Sequence, residues 1–338
     1  MGISGSFLLS VNWILLHKAI CSCCGRSGTK LLREIINNHS NIALADEWTD
    51  LVDIIELIET KNIKFNTSSV ELIFEQFKKS YFYWRQKTLE NKAINLEFLL
   101  EKCVSNQSVF EEIFKFYAYG LENVKDHDFI YGNKTPTYIN HLGLLKKFFP
   151  SLKVIHIIRD PRDVALSYKK TWGKGIYYCS YRWNKIIQNA NKDKKKLAGQ
   201  YLEIFYEDFV ANPQECLEEI GSFISCKFDK SHVKLIKPLE IYGGTKGKSF
   251  ISSSNVKKYM QGLSQKQVRT IERLTQPSMK QTGYKLENQN IEFYDPNKLQ
   301  LTLFKTYDFV KMYIFNVKNK KNRFNRNILK RLIFKSAY

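Results

Sequence analysis

The sequence predicts an α/β fold in three layers, a central parallel sheet covered by helices on both faces, with helical cap insertions. Three observations carry this. Short apolar segments alternate with stretches of helical periodicity along most of the chain. Leu152–Ile158 is apolar throughout except at Lys153 and His156, as a strand buried on both faces requires. Two cation-rich turns, at residues 25–30 and 159–163, each join such a strand to a helix.

Taken in order, the elements read as follows. Residues 1–17 are an N-terminal extension whose apolar run, Phe7 to Leu16, is too short to cross a membrane and has no basic residue before it. A strand over Lys18–Cys24 leads through Gly25-Arg26-Ser27-Gly28 into a helix over Thr29–Asn38, with Leu31, Leu32, Ile35 and Ile36 at helical spacing. Residues 48–60 form an amphipathic helix carrying Leu51, Ile54, Ile55 and Ile58 on one side. Residues 61–125 are aromatic and charged and read as a helical insertion. Phe129–Tyr131 is a short strand ending in Gly132-Asn133-Lys134-Thr135-Pro136, and a helix follows to Phe149, where Pro150 stops it. After the 152–158 strand, Pro161 opens a helix. A helix over Tyr181–Leu197, a strand over Tyr201–Phe205 and a helix after Pro213 complete a further unit. One domain over 18–284 results, with residues 285–338 as a basic C-terminal extension.

An apolar content of 43% with 14% aromatics excludes a disordered chain. The excess of Lys and Arg (53) over Asp and Glu (33), a net charge of +20, calls for an anionic partner: a phosphorylated nucleotide, an acidic glycan, nucleic acid or an anionic membrane. A solvated surface accounts for many of these lysines. Residues 301–338 hold ten Lys or Arg and one acid, Asp308, interleaved with apolar residues such as Phe304, Phe309, Tyr313 and Phe315. That pattern fits a basic amphipathic helix on a membrane or acidic polymer, or a helix docked on the domain. The seven cysteines show no paired metal spacing and no even framework, so reduced, buried thiols in a cytoplasmic protein are expected.

Two constellations carry chemistry. In the turn from Gly25 to Lys30, glycines let backbone N–H groups converge on an anion and the helix N-terminus adds its dipole. Arg26, Ser27, Thr29 and Lys30 add side-chain donors around Gly28. No Gly-Lys-Ser/Thr follows, so this is not the ATP-type loop. An ordinary strand-to-helix turn is the plainer reading. In the second, Arg159 ends a core strand, where open parallel sheets bind ligands. Ser167, two helical turns on, is placed to share a phosphate with it. The competing readings are a helix-start salt-bridge cluster over Arg159–Asp163, or Asp160 as a magnesium-binding acid.

Together these blocks resemble the PAPS-dependent sulfotransferases, of bacterial, carbohydrate and tyrosyl-protein type, whose donor is 3′-phosphoadenosine-5′-phosphosulfate. Arg26-Ser27-Gly28-Thr29, then Arg159-Asp160-Pro161-Arg162-Asp163-Val164-Ala165-Leu166-Ser167-Tyr168, carry the likeness. Asn37-Asn38-His39-Ser40-Asn41, Lys134-Thr135-Pro136, Arg182-Trp183-Asn184, Tyr206-Glu207-Asp208-Phe209, Leu263-Ser264 and Gly283-Tyr284 continue it in order over about residues 18–284. The resemblance implies a P-loop NTPase-like fold. It implies that the first loop holds the 5′-phosphosulfate, that Arg159 and Ser167 hold the 3′-phosphate, and that Tyr206 approaches the adenine. It departs at Lys30, where the family has Thr, and at Gly25, where it often has Pro. The family's late phosphate clamp is matched only loosely by Thr245-Lys246-Gly247-Lys248-Ser249.

Sulfuryl transfer is an in-line displacement with charge growing on the leaving oxygen, which fixed N–H groups and cations stabilise. Arg26, Lys30 and Lys134 are the candidates, and no metal is expected. The acceptor, a glycan, tyrosine or small-metabolite hydroxyl or amine shaped by residues 61–125, needs a base. Glu47 lies about where the tyrosyl-protein and several carbohydrate members place a catalytic Glu; Asp46 is the close second, and both acids also suit a helix start. Two other classes compete: a P-loop nucleotide or small-molecule kinase, against which the missing Gly-Lys-Ser/Thr counts, and a non-catalytic module binding an acidic polymer.

Overall fold

The computed structural model describes residues 18–22, 25–89, 91–118, 129–235 and 251–318. Among the described residues, five strands form one parallel sheet: β1 (Lys18–Ser22), β2 (Ile42–Ala45), β3 (Ile130–Lys134), β4 (Leu152–Ile158) and β5 (Tyr201–Phe205). Their order across the sheet is β2-β3-β1-β4-β5. Because every pairing is parallel, all five carboxyl ends lie along one edge. The helices between strands are α1 (Thr29–Ile36), α2 (Leu51–Thr60), α3 (Thr67–Lys78), α4 (Tyr81–Leu89), α5 (Leu96–Lys102), α6 (Asn106–Ala118), α7 (Leu142–Phe148), α8 (Pro161–Trp172) and α9 (Tyr177–Lys194). After β5 come α10 (Tyr206–Ala211), α11 (Pro213–Ile224), α12 (Tyr259–Gly262), α13 (Gln265–Thr282) and α14 (Lys298–Lys318).

The pleat of β4 divides the core. Val154 and Ile158 face a cluster with α2, α3, α6, α9 and α13, while Ile155 and Ile157 face a second with α1 and α11. A strand buried on both sides explains its near-continuous apolar run. His156 fits this interior: its ring meets the Tyr201 hydroxyl at 2.5 Å, and burial pushes its pKa down to about 3.

Several boundaries differ from the sequence reading. β2 was not expected. The helix expected from Pro136 to Phe149 is a 3₁₀ turn over Pro136–Asn140 followed by α7, and β3 runs on through Lys134 where a turn was expected. The expected 181–197 helix begins earlier, at Tyr177, and ends at Lys194. The expected 61–125 insertion contains α3 to α6, packed round Trp48, whose ring contacts Phe77, Phe82, Phe110 and Phe114. Of the C-terminal segment, α14 packs against α8 and α9.

Candidate active site

The strand order sets the site. Along the carboxyl edge, in sequence across the sheet, stand Asp46 and Glu47 after β2, Lys134 at the end of β3, the 25–29 turn after β1, Arg159 after β4 and Tyr206 after β5. Neighbouring strands are about 4.8 Å apart, so this row spans roughly 19 Å, a length suited to an extended ligand and not to a single ion.

The turn after β1 has a backbone shape that suits an anion. Arg26 (φ 72°) and Gly28 (φ 95°) both take left-handed backbone on either side of Ser27, which curls successive N–H groups toward one side. A Cβ at Gly28 would collide with the Tyr206 ring, so no other residue fits there without displacing it. Ser27 is fully buried, yet its Oγ has no partner among the described residues. Thr29 is buried at the start of α1, and Lys30 stands exposed beside it.

Arg159 is 6% exposed and knits the neighbouring elements together. Its Nη1 donates to the Arg26 carbonyl (3.1 Å) and its Nη2 to the Asn255 carbonyl (2.6 Å). Its guanidinium lies 4.3 Å over the Tyr206 ring, while Nε has no partner among the described residues. Arg26 Nε in turn donates to Ser167 Oγ (3.0 Å). Arg26, Arg159 and Ser167 therefore form one cluster. The unpartnered Ser27 Oγ and Arg159 Nε are buried donors, each costly to leave unmet, and their chemistry fits the phosphates of a nucleotide.

Two readings of Arg159–Asp163 are resolved. Asp160 caps α8, accepting from Arg162 N (2.8 Å) and pairing with the Arg162 guanidinium (2.7 Å), while Arg162 also pairs with buried Glu272 (2.8 Å). Asp160 is thus engaged in holding α8 to α13 and is poorly placed to ligate magnesium. The salt-bridge cluster is real, and Arg159 joins it only at its edge, through Asp163 at 4.0 Å, while its other contacts face the Arg26 turn and Asn255.

Sequence reasoning singled out no residue of the segment 255–259. Asp163 accepts from Lys257 N (2.8 Å) and Tyr259 N (2.9 Å), which folds this stretch over Arg159. Asn255 then donates from Nδ2 to the Tyr206 hydroxyl (3.2 Å). Lys246 and Lys248 lie outside the described residues. Trp172, under the Arg26 guanidinium at 5.5 Å, was missed as well, for nothing in its sequence setting marks it. Trp183 is a packing residue: it is 1% exposed and donates from Nε1 to the Arg159 carbonyl (3.0 Å). Glu207 is structural, its carboxylate accepting from Asp160 N (3.1 Å) and the Tyr284 hydroxyl (2.7 Å).

At the opposite end of the row, Lys134 Nζ donates to Glu47 Oε1. Lys134 is buried and Glu47 is partly exposed. The next residue pins this pair: Trp48 N donates to Thr135 Oγ1 (3.1 Å), and the Tyr138 hydroxyl donates to the Trp48 carbonyl (2.6 Å). Asp46 is differently placed. It pairs with Arg33 (2.5 Å) and with Arg85. Burial alone would raise its pKa, but the two guanidiniums, with Lys134 nearby, outweigh that and hold it at about 2. Such a carboxylate is a poor proton acceptor. Its folded pKa lies below the ordinary value of 3.8, so it stabilises the fold fully above about pH 4 and loses that contribution as pH falls toward 2. Asp46→Asn should therefore lower stability at pH 7 by on the order of 2 kcal/mol, with the difference from the parent shrinking below pH 4; a gap that persists unchanged in acid unfolding would contradict this.

A parallel sheet with helices on both faces and cation-rich turns along its carboxyl edge places this chain in the α/β class that binds ligands at its strand ends. The chain belongs to the sulfotransferase family, whose model matches residues 20–230. Among solved structures, the sulfotransferase domain from the curacin biosynthetic pathway superimposes with a TM-score of 0.52 at 19% identity, covering 80% of this chain and 99% of that one. An uncharacterised protein of Aquifex aeolicus (strain VF5) is 24% identical over 285 residues, 80% of this chain. Protein-tyrosine sulfotransferase 1 of Danio rerio is 28% identical over 114 residues, 31% of this chain. The chain spans about a third of the length of these two relatives (33% and 32%).

Proposed function

We propose that this protein transfers a sulfuryl group from 3′-phosphoadenosine-5′-phosphosulfate to an acceptor hydroxyl or amine. The observation that carries this reading is the row of strand ends, with buried Ser27 Oγ and Arg159 Nε, unpartnered among the described residues, after β1 and β4, and the Glu47–Lys134 pair on the adjoining ends of β2 and β3. Ser27, Gly28, Thr29 and the helix α1 N-terminus suit the 5′-phosphosulfate, with Arg26 and Lys30 adding charge. Arg159 and Ser167 suit the 3′-phosphate, and Tyr206 borders the adenine. Lys246 and Lys248 remain candidates for its clamp.

Glu47 takes the acceptor proton as the acceptor oxygen or nitrogen bonds to sulfur. The bond from sulfur to the 5′-phosphate oxygen breaks in line, and 3′,5′-bisphosphoadenosine leaves with both electrons. Lys134 and the loop donors stabilise the charge arriving on that oxygen. A glycan, a peptide tyrosine or a small metabolite fits as acceptor, taken up beside the aromatic helices α3 to α6. The compartment we infer is cytoplasmic, where Cys103, Cys179, Cys216 and Cys226, all free thiols, stay reduced, with the basic C-terminal segment in peripheral contact with an anionic surface.

Calorimetric titration checks the donor. 3′,5′-bisphosphoadenosine should bind far more tightly than ATP with magnesium. Binding of ATP–magnesium alone would point to a kinase, and binding of neither to a module without nucleotide chemistry.

A further inference from the structure

Helix α14 has two apolar faces. The inner one is docked: Phe304 stacks on Tyr177 at 5.0 Å between ring centroids, Asp308 Oδ1 accepts from Gly175 N (2.9 Å), and Phe315 fills the space where Gly173 lacks a side chain. The outer one is not covered. Leu299 (70% exposed), Leu303 (59%), Val310 (48%) and Ile314 (46%) stand on it. At 100° per residue these four fall within an arc of about 60°, on the side opposite Asp308. Phe309 (56%) and Tyr313 (52%) border the same stripe.

Charge surrounds this stripe. Lys298 and Lys305 lie to one side of it and Lys311 to the other, while the only acid of the helix, Asp308, is buried on the inner face. The sequence then continues through residues 319–338 with seven Lys or Arg and no acid. An aliphatic stripe edged by lysines is the pattern of a helix lying in a headgroup layer, apolar side chains toward the acyl chains and ammonium groups on phosphates. No helix among the described residues is long and apolar enough to cross a membrane.

We propose that the outer face of α14 docks flat on an anionic lipid bilayer. The observations favour this occupant over two others. An acidic polymer would use the lysines but leave the aliphatic stripe in water, which a soluble surface rarely tolerates as a continuous band. A second copy of the chain would set these lysines, and the cations that follow them, against their like. The docking face lies on the side of α14 opposite the residues that pack on Tyr177 and Gly175, and the proposal holds whether or not the chemistry proposed at the strand ends is right.

Vesicle co-sedimentation of the full chain tests it. Vesicles of phosphatidylcholine with phosphatidylserine should bind the protein at least about 10-fold better than phosphatidylcholine alone, since each lysine near an anionic surface contributes on the order of 1 kcal/mol, and salt should weaken the binding. The combined variant Leu303→Glu, Val310→Glu, Ile314→Glu should lose about 10-fold or more of that affinity with circular dichroism and nucleotide binding unchanged. Lys298→Glu with Lys311→Glu, which leaves the apolar stripe intact, should weaken the serine-containing vesicles selectively. Three results would overturn the proposal: no vesicle binding by the parent, vesicle binding untouched by both variants, or loss in the triple variant of a concentration-dependent dimer that binds no vesicles. Capture on heparin without any vesicle binding would equally reject it in favour of an acidic polymer.

Discussion

Arg159→Ala should abolish useful nucleotide affinity, weakening 3′,5′-bisphosphoadenosine by about 100-fold or more. The guanidinium is nearly sealed from solvent and sandwiched between the Tyr206 ring and the carbonyls of Arg26 and Asn255. Hydrogen bonds to a charged group contribute about 1.5–3 kcal/mol each, and a doubly phosphorylated ligand meeting this fork would lose at least one, with the cation itself. Part of the effect is indirect. Without Nη1 and Nη2, the Arg26 turn and the 255–259 segment lose the tie that closes them on each other. Arg159→Lys separates the two contributions. It restores a positive charge but not the planar fork, so most of the loss should remain. Calorimetry on both variants, with thermal unfolding to confirm that each is folded, decides the matter; affinity equal to the parent in both would remove Arg159 from the nucleotide site.

What could be read from sequence follows the reach of each interaction. β4, the Gly25–Thr29 turn and the Arg159–Ser167 run were legible because their signals are local: a buried strand writes a continuous apolar run, and a tight anion turn needs glycine within a few residues of its donors. β2 was not legible. Ile42-Ala43-Leu44-Ala45 is four residues long, with two alanines and no alternation, and its burial depends on β3 and on helices far along the chain. Asp163 looks in sequence like an acid favouring a helix start, yet its carboxylate holds Lys257 and Tyr259, more than ninety positions away. Such pairings leave no trace in local composition. The C-terminal helix fell between these cases. Its aromatic and basic pattern was visible, but two apolar stripes on opposite sides of one helix gave no indication of which would meet the domain. Asp308, buried against Gly175 N and raised by that burial to about 6, marks the inner one.

The choice between Asp46 and Glu47 shows the same limit and leads to the second large effect. In sequence the two acids are adjacent, and only the family resemblance favours Glu47. In the fold, Asp46 turns toward Arg33 and Arg85, whereas Glu47 turns to Lys134 at the carboxyl edge. The Trp48 backbone, tied to Thr135 and Tyr138, fixes that divergence. Glu47→Gln should then preserve bisphosphate affinity and thermal stability while turnover falls by about 10²–10⁴-fold, the usual contribution of a positioned base. The amide keeps the size and one acceptor oxygen for Lys134 but cannot take a proton. Asp46→Asn should give the opposite division, with stability reduced and the rate per folded molecule retained. The readout is turnover with labelled PAPS beside calorimetry on the same preparations. Full activity in Glu47→Gln would show that proton removal from the acceptor falls to another group.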